Sequence, residues 1–362
     1  MKQYAIALAA LALTFPATAQ SLQRLFAGKA NEYGLVYTLP VTSLDIYIEA
    51  ELVEEHPGQF YNYAKRHLGI TDAVRADSRS ATVKSITVIP RGIPDPKEEW
   101  LTQFKPGSSV FMTLADNNIP LGINSDGLAE STDPAVPAPR DAEPSPLETP
   151  AARQAVTEDM ARSASVSKKA ELAAQRIFEL RETRNEIISG QSDNPPADGQ
   201  AMQLVLQNLE QQEAALTAMF AGTRSSRTVV EKVNFTPDST DVDGVVIARL
   251  SSVDGIVDAS NLAGAPITLS VKVVERGTLP LTEKGLVKAF PKGGVAYRIP
   301  GTAVVSINYA GQTILSHEVT LAQLGVVFGL NPALFTDRRA PYSLTFSPVT
   351  GAVLELEPMK GE

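Results

Sequence analysis

The chain has 362 residues, 43% of them hydrophobic and 20% charged, with a formal net charge of −9 and no cysteine. Without cysteine there are no disulfides, no thiolate-held metal and no site for the lipid of a lipoprotein, so stability has to come from packed cores. The acidic balance, with no basic cluster and no nucleic-acid motif, argues against DNA or RNA as a partner and equally against attraction to anionic headgroups.

The N-terminus carries Lys2, an apolar run from Ala5 to Phe15, Pro16 as a breaker and Ala17-Thr18-Ala19, the small-x-small pattern read by a signal peptidase. The run is too short for the roughly 20 residues that cross a bilayer. Residues 1–19 are therefore expected to be a signal peptide, cleaved to leave Gln20. No later apolar stretch is long enough to span a membrane, so the exported chain is expected to be soluble, with neither a transmembrane segment nor a lipid anchor.

Residues 20–127 read as an N-terminal β-rich domain. Period-two alternation is clearest in Leu44, Ile46, Ile48, Ala50 and Leu52, and again in Val110, Met112 and Leu114, as expected of half-buried strands. Pro57-Gly58 opens a short helix through Phe60, Tyr63, Ala64 and Leu68, closed by Gly69; one helix lying on a sheet is the economical expectation. Residues 128–155 hold Pro134, Pro137, Pro139, Pro144, Pro146 and Pro150 among Ala, Ser, Asp and Glu, and are expected to be an extended acidic linker.

Over 156–222 the period becomes helical. Val166, Ala170, Ala173, Ile177, Leu180 and Ile187 fall at heptad spacing with Arg184 as the polar member, and Gly190 ends the run. Met202, Leu206, Leu209, Leu216 and Phe220 repeat the spacing with Glu213 as the polar member. Asp193-Asn194-Pro195-Pro196 and Asp198-Gly199 break the chain between them. A reversal near Asn194 would set Leu180 against Leu209, Arg176 near Glu213 and Arg181 near Glu210. Strand character returns at Thr228 and defines a C-terminal β-rich domain over 228–358, with Leu321–Leu330 open between strand and short helix.

Gly34-Leu-Val-Tyr37-Thr-Leu-Pro40 and Gly294-Val-Ala-Tyr297-Arg-Ile-Pro300 share a Gly-x-x-Tyr-x-x-Pro frame. Either two related β-domains or one turn chemistry used twice would produce it. The alternation after the two prolines is out of phase by one residue.

Catalytic patterns are missing. His56, His67 and His317 stand far apart, and His317-Glu318 starts like a zincin motif but has Leu321 where the second histidine belongs. There is no nucleophile elbow, phosphate loop or dinucleotide fingerprint. Ser239-Thr240-Asp241-Val242-Asp243-Gly244 approaches a calcium loop, but Ser239 replaces its first acid and Leu250 its bidentate Glu; an acidic turn between strands is the better reading. No cofactor or metal is expected.

The two frames, Pro57-Gly58-Gln-Phe60 with Ala64 to Gly69, the Ala-rich helix with Ile177 to Arg184, Gln323-Leu-Gly325 and Pro348-Val-Thr-Gly351 together resemble an uncharacterised envelope family of Bacteroidetes-type Gram-negative bacteria, DUF4831-like. The resemblance spans most of the exported chain, and its motifs are turns, caps and helix seams, so it implies no catalytic residue. The insert from Leu128 to Arg153 is longer than the family pattern. The expectation is an α+β fold of two mainly antiparallel β-domains with an intervening antiparallel helical hairpin. Its expected role is non-enzymatic: a structural or interaction component of an outer-membrane or surface assembly that meets a protein partner through Arg176, Leu180, Arg181, Arg184, Leu209, Glu210 and Glu213. A glycan- or adhesion-binding β-module is the alternative, followed by a hydrolase with an unrecognised carboxylate pair.

Overall fold

Three antiparallel sheets and one group of helices make up the computed structural model, which describes residues 23–26, 34–104, 109–127, 134–192, 199–337 and 340–359. Residues 1–19, expected to be a signal peptide, the first part of the linker and the breaker residues 193–198 lie outside the described residues. Strands β2 (Leu35–His56) and β3 (Ser78–Thr102) pair along almost their whole length, and β6 (Thr223–Phe235) pairs with the other edge of β2. A second sheet has the order β11-β10-β9-β7-β8, from β7 (Val242–Ser251), β8 (Gly255–Asp258), β9 (Ala265–Glu275), β10 (Val295–Tyr309) and β11 (Gln312–Leu330). Leu321–Leu330 is thus strand, the end of β11. The third sheet joins β1 (Gln23–Phe26), β4 (Phe111–Leu114), β5 (Pro120–Ile123), β12 (Tyr342–Phe346) and β13 (Val353–Pro358) in that order. No helix among the described residues is long and apolar enough to cross a membrane.

The fold is α+β and its sheets are antiparallel, but their strands do not divide at the linker. The third sheet pairs β5 with β12, more than 200 residues apart in the chain. Two β cores result, and each draws on both ends of the sequence. In one, Leu44, Ile46 and Ile48 of β2 face Ile267, Leu269, Val271, Val305 and Ile307. In the other, Leu35, Tyr37 and Leu39 of the same strand pack with Met112, Ile123, Val295, Phe335 and Phe346. Hydrophobic alternation reports which face of a strand is buried, and carries no information about which distant strand covers it.

The repeated frame has one physical use. Gly34, Tyr37 and Pro40 open β2; Gly294, Tyr297 and Pro300 lead into and through the start of β10. Both strands slip register at the frame's proline, between Thr38 and Pro40 and between Ile299 and Gly301. Proline has no N–H for the ladder, so it sits where a bulge bends the strand. At each bulge the strand leaves one core and enters the other. The turn chemistry is used twice in matching surroundings: Thr38 N–H bonds the Asn118 carbonyl between β4 and β5, and Arg298 N–H bonds the Gly351 carbonyl between β12 and β13.

Buried hydrogen bonds fasten the crossing. The Gln323 amide accepts from Thr42 N–H (3.1 Å) and donates to the carbonyls of Thr42 (3.0 Å) and Pro237 (2.9 Å). Thr42 Oγ1 donates to Val349 O and accepts from Ala322 N–H. Gly92 and Gly325 lie so close to the carbonyls of Pro348 and Ile299 that neither has room for a Cβ. Tyr37, fully buried, donates its hydroxyl to the Ala296 carbonyl at 3.0 Å.

The linker is structured in its described part. Pro134 to Ser145 is irregular, but Arg140 exchanges two backbone hydrogen bonds with Thr228 and so covers the outer edge of β6; a proline-rich strip suits an edge because its missing donors face away from the ladder. From Pro146 the chain coils into a 3-10 turn and then α2 (Pro150–Ala155), which buries Ala151, Ala152 and Ala155. Ser145 and Thr149 each cap the helix that begins with the following proline. Those prolines occupy the first helical position, where no N–H is needed.

Two substitutions probe this core. Gln323→Ala orphans both backbone groups of Thr42 and should cost about 3 kcal/mol. Because the β cores share strands, they should still unfold in one transition in urea. Burial pushes the Tyr37 phenol well above its ordinary 10.0, so the stability it contributes is complete below that pH and lost as pH rises beyond it. Tyr37→Phe should cost about 1–3 kcal/mol at neutral pH by leaving the Ala296 carbonyl unpaired. It should also remove part of the alkaline loss of stability, read from melts between neutral pH and pH values above 10.0.

Candidate functional site

The helical group is built on α4 (Val166–Ser189) and α5 (Gly199–Ala221), with α1 (Ala64–Leu68), α2 and α3 (Glu158–Arg162) around their base. Ser165 caps α4, accepting from Lys168 N–H, and Gly190 in the left-handed region closes it. Ala218 O accepts the last helical bond of α5 from Gly222 N–H, and two carbonyls left without partners within the helix are taken by the rest of the fold: Met219 by Phe60 N–H at 2.6 Å and Ala221 by Val74 N–H at 2.8 Å. The Phe60 and Phe220 rings meet at 5.3 Å, and His67 lies edge-on to Phe220. The short helix near Phe60 therefore packs on the hairpin and not on a sheet, because its buried residues Phe60 and Ala64 face α4 and α5.

Four of the five apolar seam residues expected in α4 after Val166, namely Ala170, Ala173, Ile177 and Leu180, lie in one buried cluster with Leu216 and Phe220; Ile187 is buried farther out, whereas Val166 is exposed. Leu209 is half-buried against that cluster. The polar pairing differs from expectation. Glu213 takes both Arg181 (2.6 Å) and Arg184 (3.0 Å), one to two turns farther along α4 than the expected Arg176. Arg176 instead pairs with Glu179 on its own helix (3.2 Å), and Glu210 is exposed. A reversal at Asn194 assumed that the turn sets the axial offset. It is set at the opposite end, where α5 is locked to Phe60 and Val74 and runs straight into β6.

Beyond this ion-paired layer the hairpin has little interior. Ile188 is 65% exposed and Leu204 69%; nearer the base, on the flank of α4, Phe178 is 52% exposed. Phe178, Arg181, Glu182, Asn185, Glu186 and Ser189 line a shallow groove along α4. The Arg181 guanidinium sits 5.7 Å from the centre of the Phe178 ring, held between that ring and Glu213. An aromatic ring, an oriented arginine and flanking carboxylates suit contact with a polypeptide surface.

Elsewhere, polar groups serve the scaffold. Asp241 accepts from Val273 N–H and Asp243 from Ser270 Oγ, so the calcium-like stretch is not the turn expected throughout: Ser239 to Asp241 precede β7, and Val242 to Gly244 are its first residues. His56 Nδ1 lies 2.7 Å from Asp77. Among the described residues no group of three His, Asp or Glu is placed to hold a metal ion. The Phe60–Met219 lock at the hairpin base had no signal in the sequence, since its partners lie far apart in the chain.

One family model matches the chain: Domain of unknown function (DUF4831), over residues 33–354. No curated protein and no solved structure matches it.

Glu213 is only 15% exposed, and its two arginines are partly solvated. Glu213→Ala should therefore cost about 1 kcal/mol and not the several of a fully buried pair. Hydrogen exchange should show the loss in the outer turns of α4 and α5, with the β strands unchanged.

Proposed function

The chain belongs to the DUF4831 family, and we propose that it is a non-enzymatic protein exported to the cell envelope, where its joined β cores hold the helical hairpin out toward a protein partner. The observation that carries this reading is the division of the hairpin. Its base is locked to the fold by two backbone hydrogen bonds and the Phe60–Phe220 contact, while Phe178 on the flank of α4 and Ile188 and Leu204 in the outer turns are exposed. Large apolar side chains exposed on an anchored element are how an interaction surface is presented. Export is supported by Lys2, the apolar run to Phe15 and Ala17-Thr18-Ala19. The glycan-binding alternative is weaker because Phe290 stacks on Trp100 at 5.5 Å and the Trp100 Nε1–H is bonded to Glu98, which leaves less of that ring for a sugar.

Two variants separate surface from support. Phe178→Glu with Leu204→Glu changes only exposed positions, and should abolish a specific crosslink to an envelope protein while leaving the melt unchanged. Leu180→Asp places a charge in the buried cluster at a cost of several kcal/mol. It should melt the hairpin by hydrogen exchange with both β cores intact, and lose the same crosslink. Crosslinking that survives both variants would move the contact onto the sheets, and recovery of the protein with Met1 in place of Gln20 at its N-terminus would refute export.

A further inference from the structure

The connection between β9 and β10 folds into a small hairpin of its own. Lys288 N–H bonds the Pro280 carbonyl (2.8 Å), Thr282 N–H bonds Leu286 O (2.6 Å), and Gly285 N–H closes the turn on Thr282 O. Leu281 and Val287 stand opposite each other as a bridged pair. Every residue from Leu281 to Phe290 is exposed, including Leu281 at 57%, Leu286 at 66% and Val287 at 57%.

Both feet of this hairpin are held. Gly277 N–H bonds the Leu324 carbonyl, and the glycine lies so close to Ile299 O that no side chain fits there. At the other foot the Phe290 ring lies over Gly329, stacks on Trp100 and meets Phe328 edge-on at 6.1 Å. The apolar residues are therefore presented on a fixed support.

Two features indicate what covers them. Opposed residues share a face and neighbours alternate, so Leu281 and Val287 occupy one face while Leu286 occupies the other. A protein docking on one face would leave the other apolar face in water, whereas a lipid interface surrounds both. The charge is also locally reversed: Lys284, Lys288 and Lys292 outnumber Glu283 in a chain of net charge −9. Lysine stems lie along apolar surface while their ammonium groups reach phosphate, and apolar burial combined with cationic attraction is the basis of binding at the surface of an anionic bilayer. In the sequence these lysines are spaced four residues apart and form no contiguous basic run, so the acidic balance of the whole chain outweighs them there.

We propose that the Pro280–Lys288 hairpin seats Leu281, Leu286 and Val287 in the interface of a bilayer that carries anionic lipid, with the charged turn and its lysines among the headgroups. This goes beyond the helical contact and does not depend on it. Flotation with phosphatidylglycerol-containing vesicles, against pure phosphatidylcholine vesicles, tests it on the intact protein. Expected are binding to the anionic vesicles, weakening at high salt, and a loss of at least about tenfold for Leu286→Asp with Val287→Asp. Lys284→Glu with Lys288→Glu should remove the preference for anionic lipid. Both pairs change exposed positions, so an unchanged melt checks that folding is intact. Absence of flotation with either vesicle, or equal flotation of the aspartate variant, overturns the proposal. Self-association in sedimentation velocity that the aspartate variant abolishes, without vesicle binding, would assign the hairpin to a second copy of the chain.

Discussion

Two bulged strands that each pass from one hydrophobic core into the other govern this architecture. Pro40 in β2 and Pro300 in β10 stand at the crossings, and Thr42 with Gln323 closes the space between them. A strand bent in this way cannot contribute to one core without fixing the position of the other. The consequence is cooperative: residues near both ends of the chain are needed before either core is complete, and loop-closure entropy must be overcome before those distant pairings reward it. The motifs that mark the family resemblance fall largely at this junction. Gly325 admits a carbonyl at close range, Gly351 abuts Pro40, and Gln323 satisfies backbone groups that no ladder reaches.

Much of the local structure could be read from the sequence. Leu44, Ile46 and Ile48 announce a strand with one buried face, and Ala170, Ala173, Ile177 and Leu180 a helix seam, because burial imposes a period on a single element. What joins elements could not be read the same way. The pairing of β5 with β12 leaves no periodic trace in either strand. The linker differs for a local reason: its proline-rich composition reads as extended chain, whereas Pro146 and Pro150, each following a capping Ser or Thr, start a helix. The hairpin's ion pairs were misplaced because the offset between two helices depends on what anchors their bases, and Phe60 lies far from α5 in sequence.

Polar residues in the helical group and in the sheets have different duties. Glu213 collects two arginines at the limit of the buried seam, and beyond that layer α5 keeps a side-chain bond to α2, from Asn208 to Gln154. In the sheets, polar side chains mostly satisfy backbone: Thr42, Gln323 and Asp241 all do so. Stability is therefore graded along α4 and α5, greatest where their ends meet the fold and least toward Ile188 and Leu204, which face water, as expected of elements with few buried contacts.

The junction of α5 with β6 has a mechanical side. Gly222, at φ +87°, lets the helix pass into the strand with no intervening loop, and β6 is then paired along all 13 of its residues with β2. Antiparallel ladder bonds run perpendicular to the strands. Tension drawn through the helix along the strand axis therefore loads that whole ladder in shear, with its bonds sharing the force, instead of peeling them apart one after another.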